Sequence, residues 1–399
     1  MTPPFYRSRR FWLWSTGSHL SNLPAAMAPL TFTALTATLT GSYSTGAGMV
    51  AAMILSQVAL AIPVSRLLDR ASSNAGLRLL LLLRAVVFGI LLCAVLLSAQ
   101  TYLLIGLAAL AGAAGSAVPG GFRALLTGIV GFADLRRSVA LTATLNELMF
   151  VIGPVLVGVL GLITESMPLI VMAALTAAAA AFVPGNAAAA RSAPPVKGAS
   201  MVPRLFGWML AGFAAASIVA IVEVGAVALA LRLGRDATWA TVIVVVLCIA
   251  SVSGGVFWTW RNYRGSTATL LVLLAGMMAG AVLIALSLNF VFVLAGAVLV
   301  GLCLAPLGTT ASLLVEDALD PHRRIEGFSL LRTASGLGAG FGALLVTLVP
   351  IGAAASAGVA ALAGAIAGLY FWARLSARRN LTEPAPTSEE VEVPRPGGD

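Results

Sequence analysis

Apolar residues run along this chain in long stretches, broken at short intervals by clusters of Arg, Gly, Pro, Ser and Asn. The stretches lack the strict alternation of a barrel strand and are apolar on every side, so they read as helices surrounded by hydrocarbon. A helix needs about 20 apolar residues to cross a hydrocarbon core about 30 Å thick. Twelve stretches are long enough: positions 11–39, 45–68, 76–98, 101–126, 138–163, 166–184, 205–231, 238–260, 267–287, 290–315, 325–349 and 352–374. The run from 138 to 184 exceeds one crossing, and Glu165-Ser166-Met167-Pro168 supplies the turn that divides it. The longest polar interruption, GNAAAARSAPPVKGASMVP at 185–203, reads as a linker on the cytoplasmic side. It separates a six-helix bundle over 1–184 from a second over 204–377, and the proline- and glutamate-rich segment 378–399 reads as a disordered tail.

Composition agrees with the pattern. Hydrophobic residues make up 59% of the chain and charged ones 10%, with a mean hydropathy of +0.99. Soluble domains carry roughly a quarter charged residues, so the solvent of this chain is a bilayer. The 24 Lys and Arg then fix orientation. With the N-terminus inside and the crossings alternating, only Arg232 and Arg235 fall outside, and Arg84, Arg123 and Arg332 fall within spans. This asymmetry follows the positive-inside rule and puts both termini in the cytoplasm of a multi-pass protein of the cell membrane. All seven Trp also fall near span ends. The net charge of +9 is accounted for by topology and attraction to anionic lipid, and it calls for no nucleic acid.

The first apolar run contains His19, Ser21 and Asn22 and has no small-residue cleavage site, so it reads as a retained helix. Cys93, Cys248 and Cys303 lie within spans and imply no disulfide framework. With two His residues, no HExxH, no GxSxG and no phosphate loop, the chain offers no catalytic cluster, metal site or cofactor site. The glycines from Gly336 to Gly342 follow no strand, and their paired GxxxG spacings point to close helix packing.

Chemistry is therefore sought in polar groups within the spans. A carboxylate at a helix centre costs about 2.5–3.5 kcal/mol even on lenient insertion scales, so it must be wet, paired or protonated. Glu147 and Glu223 are the acids within spans. Either one is a candidate proton carrier, since a carboxyl that is alternately dry and wet takes up and releases a proton. The competing reading is a static pair with Arg123 or Arg332. His19, Asn22, Gln57, Arg123, Asn146 and Arg332 are candidates to line a polar substrate cavity. Arg84 is placed near enough to the cytoplasmic end to snorkel. Glu147 shares a helix face with Val151, Pro154 and Gly158, and Pro154 frees the carbonyl of Phe150.

A repeat adds to this. Arg136-Arg137 and Arg323-Arg324 are 187 positions apart, and the same shift brings Gly153 onto Gly340. Two parallel halves of this kind are a transporter architecture with substrate between them. Gly153-Pro154-Val155-Leu156-Val157-Gly158 resembles the Gly-Pro-x-x-x-Gly motif of antiporters of the major facilitator superfamily. Asp69-Arg70 and the opening His19-Leu20-Ser21-Asn22-Leu23-Pro24 also stand where that family has motifs, although Ser65, Ser72, Ser73 and Asn74 replace glycines and bases of the loop motif. The resemblance covers nearly the whole chain. It implies an all-α integral membrane fold of 12 transmembrane helices in two pseudo-symmetric six-helix bundles. It also implies a cytoplasmic gate at Asp69 and Arg70, and a leak-restraining contact between halves at Gly153, Pro154 and Gly158.

The resulting expectation is a monomeric secondary transporter, not an enzyme, with a small molecule and protons as its partners. It would export an amphipathic or hydrophobic organic compound by proton-coupled alternating access. Uptake or facilitative transport of a sugar or organic acid is the alternative within transport. A non-transporting assembly factor or an embedded enzyme is the alternative outside it.

Overall fold

The computed structural model describes residues 8–70, 73–130, 132–185, 202–261, 265–319 and 324–382. Within them the chain folds into α-helices: α1 (Arg9–Thr40), α2 (Tyr43–Arg70), α3 (Ser73–Leu96), α4 (Thr101–Gly115), α5 (Val118–Ile129), α6 (Phe132–Gly161), α7 (Met167–Ala181), α8 (Val202–Arg232), α9 (Trp239–Trp260), α10 (Thr267–Leu286), α11 (Phe290–Ala318), α12 (Arg324–Leu348) and α13 (Ile351–Thr382). The linker reading at 186–201 and the tail reading beyond 382 lie outside the described residues; α13 itself continues past position 377 to Thr382.

Among the described residues nine segments are long and apolar enough to cross a membrane. One of them, Thr101–Leu126, spans both α4 and α5. The sequence reads it as a single helix, but the ladder breaks at Ser116 and Ala117, where the Ser116 hydroxyl bonds the Ala113 carbonyl at 2.7 Å and Pro119 opens α5. Three of the twelve expected crossings are absent from the nine. α1 is long enough but is diluted by Ser15, His19, Ser21 and Asn22, and α7 is 15 residues long; in α6 the continuously described stretch is Leu148–Gly161, which is shorter than a crossing.

Helices α1 to α7 pack mainly on one another, as do α8 to α13. We call the end at which α1 begins the base and the opposite end the far end. At the base, Trp14 donates its indole N–H to the Phe122 carbonyl at 2.6 Å, and Trp372 donates to the Pro203 carbonyl at 3.1 Å while its ring meets Trp208 edge-on. At the far end, Gly41 takes the left-handed conformation (φ 69°) that lets α1 turn into α2.

The two sets meet along α2 with α12, α6 with α9, and α1 with α8. Apolar burial alone does not hold helices together in lipid, and close backbone approach supplies the missing contact energy. The α12 glycines serve two neighbours at once. A Cβ on Gly338 or Gly342 would lie 2.1 or 2.3 Å from the carbonyl oxygens of Phe213 and Ser217 on α8. One on Gly336 or Gly340 would strike Val58 or Leu55 on α2. The α2–α12 seam extends to the far end, where the Ser44 hydroxyl donates to the Thr347 carbonyl at 2.7 Å.

Gly338→Val is therefore expected to lower stability by roughly 1–3 kcal/mol or more, because the α8 backbone cannot move aside. Gly364→Ala, where a Cβ meets nothing within 4 Å, is expected to be neutral. Melting temperatures of the purified variants check both, and equal effects would refute the packing role of Gly338.

Candidate functional site

Polar or incompletely buried side chains inside the spans occur on α1, α5, α6, α8 and α12, and of these α1 and α8 pack on each other across the two sets. On α8, which is buried along most of its length, four of the incompletely buried positions, Gly212, Ala216, Val219 and Glu223, fall on one stripe at helical spacing. The base end of that stripe meets α12, where a Cβ on Gly212 would lie 3.0 Å from the Ser335 hydroxyl. Arg332 lies one turn closer to the base on α12, on the same side as Ser335 and Gly336, away from the outer stripe of Leu337, Phe341, Leu344 and Leu348. Its side chain is exposed although the residue is well inside the helix. Arg123 of α5 is also exposed, and the charges of Arg123 and Arg332 are within electrostatic reach of each other.

Heights along the helices separate these groups. At 1.5 Å per residue, Arg123 and Arg332 stand about 9 and 12 Å above the base ends of their helices, Asn22 and Asn146 about 20 Å, and Glu223 about 31 Å. Two exposed cations toward the base and an incompletely buried stripe of α8 rising to Glu223 mark an opening, or cleft, between the two sets. Glu223 is half-buried and forms no ion pair with Arg123 or Arg332 among the described residues. Gln57, also half-buried, lies beside Val58 at the α2–α12 contact.

Not all of the expected cavity residues face the opening. The Asn22 amide donates to the Asn146 side-chain oxygen at 3.1 Å, so these two clasp α1 to α6. His19 is buried and does similar work: Nδ1 donates to the Ser15 carbonyl at 2.6 Å, while Nε2 lies 3.4 Å from the Thr142 carbonyl of α6. The backbone of Glu147 lies in α6 and that of Asp69 and Arg70 at the end of α2, but their side chains are outside the described residues.

Arg84 departs from expectation. It does not snorkel: it is 2% exposed and lies inside the α1–α7 set, with Nη1 donating to the Ser21 carbonyl at 3.4 Å and its guanidinium over the Phe88 ring. At about 16 Å above the start of α3, its charged end cannot reach the headgroup level. Gly115 of α4 leaves the slot it occupies, since a Cβ there would lie 2.9 Å from the guanidinium carbon.

The Gly-Pro-x-x-x-Gly stretch is divided between two neighbours. Gly153 faces Ala26 of α1, within its own set, and Gly158 faces Thr241 of α9 across the interface. Pro154 deprives the Phe150 carbonyl of its helical donor. The replacement is the Cys248 thiol of α9, at 3.2 Å. Farther out, α1, α6 and α9 enclose an apolar pocket of about 560 Å³ whose wall includes Leu30, Thr31, Val155, Gly158, Thr238 and Thr241.

Cys248→Ala is expected to destabilise the protein by about 1 kcal/mol, the worth of one hydrogen bond, and Cys248→Ser to be tolerated. In a Pro154→Ala background, where the amide of residue 154 can bond the Phe150 carbonyl, the Cys248→Ala effect should shrink. Equal effects in both backgrounds, measured by thermal melting, would remove this contact from the account.

No protein-family model and no curated protein sequence matches the chain. Solved structures do. The nucleoside transporter NupG superposes with a TM-score of 0.71 at 12% identity, over 92% of this chain and 99% of that one. A bacterial homologue of the human lysosomal transporter Spinster, in an inward-facing and occupied conformation, gives 0.67 at 13% identity, over 92% and 97%. Its unoccupied inward-facing form gives 0.64 at 14%, over 97% and 100%. These neighbours are transporters rather than enzymes, and at such identities the likeness establishes the architecture alone. The chain is a multi-pass, all-α membrane protein with the fold of major facilitator superfamily transporters.

Proposed function

We propose that the chain is a secondary active transporter that moves a small amphipathic organic compound out of the cell by proton-coupled alternating access. The observation that carries this reading is the cleft itself. Incompletely buried residues of both sets lie toward the base, and the named contacts between the sets run from mid-height to the far end: Val58 with Gly336, Leu55 with Gly340, Phe150 with Cys248, Gly158 with Thr241, and Ser44 with Thr347. In this reading α4 and α5 make one crossing, giving twelve in two related six-helix bundles. The pairing of neighbours supports that symmetry: α6 packs on α1 and crosses to α9, as α12 packs on α8 and crosses to α2. Both termini are assigned to the cytoplasm by the basic residues at the base, so the cleft opens inward. The transporter is assigned to the cell membrane as a monomer.

Transport follows from rocking of one bundle against the other, which closes the base and opens the far end. A ligand drives that change only by binding one state better than the other. Glu223 is the proposed proton carrier, because the same rocking changes its access to water. Glu147, whose backbone lies about 22 Å along α6 from its base end, is the second candidate. The apolar pocket between α1, α6 and α9 supports a substrate with a hydrophobic part.

In everted vesicles holding a pH gradient, addition of the transported compound from a panel of amphipathic acids, cations and neutral solutes should release protons in the native protein and not in Glu223→Gln. Loss confined to Glu147→Gln would move the coupling to that residue. Undiminished proton release in both variants would remove proton coupling from either acid.

A further inference from the structure

Several arginines with described side chains hold a carbonyl or a ring, whereas Arg9, Arg10, Arg66, Arg204 and Arg232 are exposed at helix ends, within reach of water and head groups. Arg78 donates to the Val183 carbonyl at 2.6 Å, Arg235 lies over Trp239, and Arg374 over Tyr370. Even the deeply buried Arg84 reaches the Ser21 carbonyl and the Phe88 ring. Arg123 and Arg332 differ. Both are exposed yet lie away from the ends of their helices, and among the described residues neither has a carboxylate, carbonyl or ring partner.

They are also matched in position. They come from opposite sets, stand at similar distances from the base ends of their helices, and are near enough for each charge to be felt by the other. Glu223 stands roughly 20 Å higher along the seam and is too distant to neutralise them. Like charges facing each other across a narrowing, low-polarity cleft resist its closure, and the repulsion grows as water leaves. A guanidinium in such a place calls for an anion. Its planar fork fits the paired oxygens of a carboxylate or phosphate, and two forks facing each other suit a group that offers oxygens on both sides.

We propose that Arg123 and Arg332 form a two-armed oxyanion site at the mouth of the cleft, binding the carboxylate or phosphate head of the transported solute so that the mouth closes only around an anion. The proposal rests on the transporter reading and narrows its substrate to amphipathic organic anions. It gives the solute a direct part in alternation. The empty mouth is held open by two facing cations, and the bound head group removes the repulsion. The hydrophobic part of the solute then extends toward the amides and the deeper apolar walls.

The test uses the full chain purified in lipid-free detergent, with inorganic phosphate, citrate and a long-chain carboxylate as soluble probes, and phosphatidylglycerol as the lipid probe. Melting temperature and hydrogen exchange are read together. Citrate or the long-chain carboxylate should raise the melting temperature and slow exchange at the base ends of α5 and α12. Arg123→Gln and Arg332→Gln should each weaken this response by about 10- to 100-fold in apparent affinity, as expected for loss of a charged hydrogen-bond partner. Arg332→Lys should keep part of it. Without anion, neither Gln variant should melt below the native protein, because each relieves a repulsion. A lowered melting temperature in both would mark them as structural cations and overturn the proposal. So would a native protein indifferent to every soluble anion, or one that responds to phosphatidylglycerol alone, which would assign the site to a lipid head group. The transporter reading is judged separately, by whether exchange shows the α2–α12 and α6–α9 seams opening at all. Seams that open without any anion response leave transport standing and remove the oxyanion site.

Discussion

A charged or strongly polar side chain inside a hydrocarbon-soluble bundle must be wet, paired or wrapped by dipoles, and this constraint organises the molecule. Arg84 shows a partly wrapped solution, with Nε and Nη2 left without a hydrogen-bond partner among the described residues. Its guanidinium fits a slot left by Gly115, with a backbone carbonyl of α1 and an aromatic face as its surroundings. The amides of Asn22 and Asn146 show the paired one. Arg123 and Arg332 take the wet solution, and they place the opening between two sets of helices whose outer surfaces are otherwise oily; Glu223 is half-buried above them.

The contacts that join the two sets are of a kind that the proposed rocking could break. Few of the hydrogen bonds cross from one set to the other. The Ser44 hydroxyl meets the Thr347 carbonyl, and the Cys248 thiol meets the Phe150 carbonyl that Pro154 leaves free. The remainder is close packing of glycines and small side chains, as at Gly158 on Thr241 and Gly340 on Leu55. Such contacts are short-ranged and carry little polar commitment, so breaking one seam strands few buried donors or acceptors. Within the C-terminal set, the α8–α12 contact is of another kind: backbone rests against backbone at Gly338 and Gly342, which favours movement of those helices as a unit.

Much of the architecture is legible in the sequence because hydrocarbon imposes a length and a composition that a linear reading detects. The weaker crossings are less plain. α1 carries Ser15, His19, Ser21 and Asn22, which bond within the α1–α7 set and lower its hydropathy. The glycine run from Gly336 reads correctly as a packing device, and its two neighbours follow from its two interleaved spacings. The repeat is legible as a shift but misleads at single residues. Gly153 and Gly340 coincide at 187 positions, yet one faces its own set and the other crosses to α2. A free carbonyl at Phe150 follows from Pro154 alone, whereas its donor, Cys248, is 98 residues away and follows from packing. Arg84 is misjudged for the same reason, since depth and a neighbouring glycine decide its fate. The mutual approach of Arg123 and Arg332 likewise depends on tertiary structure, with only their presence within spans to signal it.

The central claim is that the cleft is wet at Arg332 and Arg123 and sealed at Arg84. A membrane-impermeant thiol reagent tests it directly on inside-out vesicles, using Arg332→Cys, Arg123→Cys and Arg84→Cys in a background with Cys93 and Cys303 replaced by Ser. The account predicts rapid modification at 332 and 123 and silence at 84. An unreactive thiol at both cleft positions, or equal reactivity at all three, would contradict it.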